Sequence, residues 1–263
     1  MIRAQSGTFL PLQNKVPEVT IYFWIIKVMA TTVGETAADL LSIRLNLGLT
    51  VTSYVMSAVF IIFLVLQVRT KRYQAPLYWV TVVLISIVGT LISDNLVDGM
   101  GISLVATSIA FSLILGAVFA LWYASEGTLS IHTIFTTRRE LFYWAAILFT
   151  FAMGTSVGDL LAERLDLGYG QALLVFAAMI ASIAVLYYVL MLDAILCFWL
   201  AYILTRPLGA SMGDLLAKPG IAGGLGWGTV TTSLAFLGVI LLLVAYLTIS
   251  RSDQIAAEAP SDA

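Results

Sequence analysis

The chain has 263 residues, of which 60% are hydrophobic and only 11% are charged, and its mean hydropathy is +1.00. A soluble domain carries about 25% charged residues, so this composition excludes a soluble globular protein and indicates a polytopic membrane protein. The formal net charge of −2 and the lack of a basic run in the sequence exclude nucleic acid as a partner. We expect the lipid bilayer to be the main surroundings of the chain.

Eight apolar segments are long enough to cross a bilayer, which takes about 20 residues. They lie at 19–42, 48–68, 76–97, 101–123, 140–162, 169–191, 193–217 and 227–249. The chain then divides into a cytoplasmic N-terminal segment (1–18), a first half (19–123), a cytoplasmic linker loop (124–139), a second half (140–249) and a disordered cytoplasmic tail (250–263).

The basic residues outside these segments are unevenly distributed between the two sides. Eight lie on the side of both termini, against three on the other. Because cytoplasmic segments are enriched in lysine and arginine, this predicts that both termini are cytoplasmic. The eight are Arg3, Lys15, Arg69, Lys71, Arg72, Arg138, Arg139 and Arg251, and the three are Arg44, Arg164 and Lys218.

One pattern recurs four times: a tryptophan, a glycine ten residues later, and an aspartate five residues after the glycine. Each copy begins at the start of an odd-numbered segment, so all four point the same way. This predicts four parallel two-helix repeats, in two pseudo-symmetric halves, related by an axis along the membrane normal. The copies are Trp24, Gly34 and Asp39; Trp79, Gly89 and Asp94; Trp144, Gly154 and Asp159; and Trp199, Gly209 and Asp214.

In these features the chain resembles a family of uncharacterised bacterial inner-membrane proteins, built from four tandem two-helix repeats that each have a characteristic tryptophan. The resemblance covers about residues 19–249. It implies an all-α protein with eight transmembrane helices in a bacterial plasma membrane. It implies no activity, so the function has to be argued from the residues.

The tryptophans and the small residues suggest structural roles. Tryptophan at the end of a membrane helix is typical of an anchor at the lipid–water interface. Small residues four apart let helices approach closely in lipid, so we assign a helix-packing role to the glycines, with a substrate groove as the alternative. They are Gly34, Gly89, Gly154, Gly158, Gly209 and Gly213.

A second stripe on the odd helices is polar. Residues four apart share a helix face, and charged groups in a membrane usually face a protein interior or a hydrated cavity. We therefore predict that this stripe faces a common interior, with Lys27 and Arg206 as charge-compensating or competing cations. The candidate ion-binding residues are Glu35, Asp39, Thr90, Asp94, Thr155, Asp159 and Asp214.

Carboxylate and hydroxyl oxygens suit hard cations such as Mg²⁺, Mn²⁺ or Ca²⁺. The sequence therefore favours a secondary transporter that moves a cation in exchange for protons, with Glu35, Asp39 and Asp159 as the proposed metal ligands. We predict no cofactor and no enzymatic activity. Two alternatives stay open, a scaffold protein without transport and an intramembrane aspartyl enzyme.

The plainer interpretation is also open at this stage. Each aspartate could cap a turn or pair with a nearby basic residue, namely Arg44, Arg164 or Lys218. Lys27 could extend to the cytoplasmic surface instead of facing the interior.

Overall fold

The computed structural model describes residues 14–254, and this part of the chain contains eight α-helices and no strand. Each predicted segment corresponds to one helix. The helices are α1 (Ile21–Asp39), α2 (Leu49–Arg69), α3 (Ala75–Asp94), α4 (Leu104–Glu126), α5 (Thr137–Asp159), α6 (Gly168–Leu190), α7 (Ala194–Ala217) and α8 (Thr229–Ser250).

Local sequence sets the helix ends. Thr20, Ser103, Thr136 and Asp193 each accept a hydrogen bond from the backbone of the first turn of α1, α4, α5 and α7, as N-cap residues do. At the other end, α1, α3 and α5 stop at the aspartate of the repeat and continue as a wider π-helical turn. These turns are Leu40–Arg44, Asn95–Gly99 and Leu160–Arg164.

Seven of the eight helices in the described part are long and apolar enough to cross a membrane. The exception is α1, which carries Lys27, Glu35 and Asp39 among its apolar residues. The chain is therefore a multi-pass helical membrane protein.

The four odd-numbered helices form an inner ring in which α1 packs against α3 and α7, and α5 packs against the same two helices. Their side chains are largely buried. The even-numbered helices lie outside the ring, each against the first helix of the following repeat: α2 on α3, α4 on α5, α6 on α7, and α8 on α1. The repeats are thus interleaved, and α8 closes the ring.

The first glycine of each repeat lies where two inner helices touch. A Cβ atom at any of these glycines would collide with a residue of the next inner helix, so a side chain at this position would force the ring apart. In every case that neighbour is the residue seven positions after the tryptophan of the next repeat. The pairs are Gly34 with Ser86, Gly89 with Phe151, Gly154 with Arg206, and Gly209 with Thr31.

The tryptophan ends of the inner helices meet in one layer of aromatic rings. The aromatic residue before each tryptophan contacts the tryptophan of the next repeat. The ring-centroid distances are 5.6 Å for Phe23–Trp79, 5.6 Å for Tyr78–Trp144, 6.2 Å for Tyr143–Trp199 and 5.7 Å for Phe198–Trp24.

The anchor role predicted for the tryptophans is therefore wrong for three of them. Trp79, Trp144 and Trp199 are only 1%, 2% and 4% exposed. The physical reason is the aromatic neighbour one position earlier, which gives each indole ring a partner inside the protein. The tryptophan layer closes the ring at this end.

The segment after α8 is ordered up to Gln254, although we predicted a disordered tail from residue 250. Arg251–Gln254 form a turn, and Asp253 is buried because it accepts a hydrogen bond from the Tyr73 hydroxyl at 2.5 Å, while its carbonyl accepts one from the Glu18 backbone at 2.9 Å. Burial raises the pKa of the Tyr73 hydroxyl, so it stays a hydrogen-bond donor well above neutral pH. Residues 1–13 and 255–263, which make up most of the two predicted terminal segments, lie outside the described residues.

Replacing Tyr73 with phenylalanine is expected to lower the free energy of unfolding by about 1–3 kcal/mol, because it leaves a buried carboxylate without its donor. Denaturant unfolding in detergent measures this. Tyr123→Phe is the matched control, since Tyr123 is 60% exposed, and it should have no effect. Equal free energies of unfolding for the two variants would contradict a stabilising hydrogen bond from Tyr73 to Asp253.

Candidate functional site

Arg206 lies at the centre of the inner ring, and its side chain is fully buried. Its Nη2 donates hydrogen bonds to Glu35 Oε2 at 2.9 Å, to Thr155 Oγ1 at 2.7 Å and to the Thr90 hydroxyl. Its Nη1 donates to the Thr31 carbonyl at 3.1 Å. One guanidinium of α7 is therefore bound by all three other inner helices.

The repeat explains this convergence. Glu35, Thr90 and Thr155 each lie eleven residues after the tryptophan of their repeat, so they are at the same depth around the ring axis. The fourth copy has Ala210 at this position and Arg206 one turn earlier. The small alanine leaves the centre of the ring to the guanidinium.

We predicted Thr90 and Thr155 as ion-binding residues, and in this structure their oxygens bind Arg206 instead. Each hydroxyl also donates to a backbone carbonyl one turn earlier, of Ser86 and Phe151 respectively. The physical reason is that the long arginine side chain reaches the level of the hydroxyls. Neither hydroxyl is open to a mobile ion while Arg206 stays in place.

Beyond Arg206, away from the tryptophan layer, the ends of the inner helices and the turns after them line a partly open cavity of about 90 Å³, which we call the acidic vestibule. Such a volume holds several water molecules. Lys218 is the one amine in its lining. The carboxylates that line it are Glu35, Asp39, Asp94, Asp98, Asp159 and Glu163.

Two of these acids, Asp98 and Glu163, were missed by the sequence analysis. Each follows the aspartate of its repeat by four residues, so extending the polar stripe by one turn would have found them. Both lie one residue past the predicted apolar segments, which end at residues 97 and 162. Both lie in the π-helical turns, where their exposed side chains border the vestibule.

Three carboxylates lie close enough to hold one metal ion. Oxygens of Glu35, Asp159 and Asp214 are all within 4.8 Å of one another. The predicted set of Glu35, Asp39 and Asp159 shares two members with this group, and Asp39 lines the vestibule outside it. The three close acids come from α5, α7 and α1, which are consecutive in the ring.

The simple pairing of each aspartate with a local base holds for one of the four. Lys218 Nζ is 3.3 Å from Asp214 and 3.1 Å from Glu163. No ion pair joins Asp39, Asp94 or Asp159 to a basic side chain within residues 14–254. Most of the acids therefore face the vestibule without a cation.

Lys27 does not have the predicted charge-compensating role. Its Nζ has no hydrogen-bond partner and no carboxylate within 4.0 Å among the residues that the structure describes. It does not reach the surface either, being 0% exposed. Its Nζ lies instead over two rings, 4.0 Å from the centroid of Phe151 and 4.2 Å from that of Tyr202.

These features define a multi-pass helical membrane protein built of four interleaved repeats around a buried arginine and an acidic vestibule. The chain belongs to the repeat family of unknown function designated DUF347. Four copies match that family, at residues 22–73, 77–128, 142–191 and 197–253. This confirms the predicted four tandem repeats.

No curated protein and no solved structure matches this chain.

Proposed function

We propose that this protein is a secondary carrier for a small cation, with a divalent metal ion as cargo and protons as the coupling ion. The observation that carries the proposal is the acidic vestibule. Its carboxylates come from the inner helices of the first three repeats, and Asp214 of the fourth joins two of them in the close group of three. Oxygen ligands of this kind suit Mg²⁺, Mn²⁺ and Ca²⁺.

Arg206 supports a carrier in preference to a passive channel. Its guanidinium holds Glu35 at the base of the vestibule, where a cargo cation would bind. Cargo and guanidinium compete for the same carboxylate, so binding of one releases the other. On the far side of Arg206 the tryptophan layer closes the ring, so the vestibule is open at one end, as alternating access requires.

We further propose that α1 also crosses the membrane, which gives eight spans and a pseudo-four-fold axis along the membrane normal. The contacts between consecutive inner helices, which repeat around the ring, support this arrangement. With the basic residues concentrated at the tryptophan end, we propose a bacterial inner membrane location with both termini in the cytoplasm.

The size of the vestibule argues against an intramembrane aspartyl enzyme. A peptide substrate needs an extended cleft, and a cavity of about 90 Å³ does not accommodate one. We therefore propose that the protein is not an enzyme.

The test is cation flux into proteoliposomes under an imposed proton gradient, with Mg²⁺, Mn²⁺ and Ca²⁺ as probes. We expect flux of at least one ion in the wild type and its loss, by tenfold or more, in Asp159→Asn. This variant is chosen because Asp159 makes no ion pair, so the change removes a ligand without leaving a buried base unpaired. The same ion should raise the unfolding midpoint of the wild type, as ligands of the folded state do, and leave that of the variant unchanged.

Asp166→Asn is the matched control. It makes the same chemical change in an exposed loop next to the same helix, at a position with φ of 56° that asparagine adopts readily. It should transport normally. Wild-type liposomes with no flux of any tested cation would refute the carrier.

A further inference from the structure

The side chain of Lys27 lies in an aromatic cage formed by the rings of Phe151 and Tyr202. Lys27 lies two turns from Glu35 on the tryptophan side, about 12 Å along α1, with its Nζ over the rings of Phe151 and Tyr202. The hydroxyl of Tyr202 also has no hydrogen-bond partner in the described part of the protein. Two buried polar groups therefore lie at this site, each without a hydrogen-bond partner among the described residues.

The repeats show that the fold does not need an amine here. Lys27 corresponds to Val82, Ile147 and Tyr202 in the other copies, so an aliphatic side chain fills the same place twice. The cage itself results from divergence between copies: Phe151 corresponds to Thr31, Ser86 and Arg206 in the other repeats.

The helices packed around Lys27 place no carboxylate beside its amine. From α7 the ionisable groups that face it are Tyr202 and Arg206, and from α5 it meets the ring of Phe151. The same ring lies 5.8 Å from the Arg206 guanidinium carbon. Lys27 and Arg206 therefore both lie over the ring of Phe151, and each is the charged neighbour of the other.

The other helices packed on α1 do not change this. On α3 the ionisable residues are Tyr78, whose hydroxyl bonds to Tyr143 at the tryptophan end, and Asp94 at the vestibule end. On α8 the one ionisable residue is Tyr246, which faces Tyr22. The ionisable residues of α5 lie near its two ends, away from Phe151.

We propose that Lys27 is the group that carries the coupling proton of the transport cycle. This proposal rests on the proposed carrier function. When a cation takes Glu35 from Arg206, the released guanidinium and the ammonium repel each other across Phe151. An N–H bond of Lys27 then breaks, the electron pair stays on nitrogen, and the proton passes to water that enters when the tryptophan layer opens. After the cargo has left, the amine takes up a proton from the vestibule side before Arg206 returns to Glu35, so each cycle carries one proton across the ring.

The test compares Lys27→Met, which cannot hold a proton, with Lys27→Arg, which keeps a cation over the rings but does not release a proton. In proteoliposomes with a pH-sensitive dye inside, we expect proton movement coupled to cation flux to fall at least tenfold in both variants. Lys27→Met should still let the cation move down its own gradient, and Lys71→Met, at an exposed position, should match the wild type. Wild-type proton coupling in either Lys27 variant would overturn the proposal.

A second measurement tests the protonation of Lys27 without relying on transport. Unfolding midpoints in detergent are recorded from about pH 5 to about pH 10. The change of stability with pH depends on the difference in bound protons between the folded and unfolded states. The difference between wild type and Lys27→Met should change with pH, whereas the difference between Lys27→Arg and Lys27→Met should stay constant. A wild-type difference that is constant over this range would overturn the role of Lys27. Absence of all cation flux in the wild type would instead overturn the carrier.

Discussion

Replacing Arg206 with methionine is expected to lower the free energy of unfolding by about 3–5 kcal/mol, the usual cost of removing one partner of a buried ion pair. The change leaves the Glu35 carboxylate in the ring without its cation, and the Thr90 and Thr155 hydroxyls without their donor. Methionine has a similar length, so the loss is mainly one of charge and hydrogen bonds. Denaturant unfolding in detergent gives the difference.

Two further variants isolate the cause. Adding Glu35→Gln to Arg206→Met removes the unpaired charge and should recover a large part of the lost stability, because coupled sites are not additive. Arg138→Met is the matched arginine control. The Arg138 side chain is exposed, and its Nε lies 3.6 Å from Glu126 Oε1. Surface ion pairs of this kind contribute about 0–1 kcal/mol. If Arg206→Met were as harmless as Arg138→Met, the central role of the guanidinium would be wrong.

Gly209→Ala is expected to cost about 1–3 kcal/mol by overpacking. A Cβ atom at this position would lie 2.6 Å from Cβ of Thr31 and 3.1 Å from the backbone nitrogen of Thr32. Because a backbone atom is involved, a change of rotamer cannot relieve the contact, and α1 and α7 have to separate.

The matched control for this variant should change stability in the opposite direction. At Gly116, in the middle of α4, an added Cβ meets nothing within 4 Å. Gly116→Ala should therefore raise stability by about 0.5–1 kcal/mol, the usual gain when alanine replaces a helical glycine. Thermal unfolding of the two variants side by side checks both signs, and a stabilising Gly209→Ala would mean that the ring is not closed at this contact.

The helices and the repeat were predictable because both depend on local pattern. Apolar length fixes a span, and the Trp–Gly–Asp spacing puts equivalent residues at equal depth. Convergence of the acids follows from that depth once the odd helices meet. These predictions required no knowledge of how the helices are ordered around the axis.

The details of the site depend on that order, which no single segment carries. Asp214 lies close to Glu35 because α7 and α1 are neighbours in the ring. The sequence does not show that the inner helix of the fourth repeat packs against that of the first. The position of Lys27 over Phe151 and Tyr202 likewise combines three helices. The buried tryptophans, in contrast, had a local signal that we did not use, namely the aromatic residue before each one, such as Phe23 and Tyr78.

The interleaving of the repeats has a consequence for biosynthesis. Among the eight described helices, α1 is made first and enclosed last, because it receives its outer cover from α8 and the partner of Glu35 from α7. For most of translation α1 holds its acids and Lys27 in the insertion machinery or in lipid without these neighbours. Assembly around α1 is therefore completed only after synthesis of α7 and α8, and a chain truncated before α7 leaves α1 without these neighbours and exposed to membrane quality control.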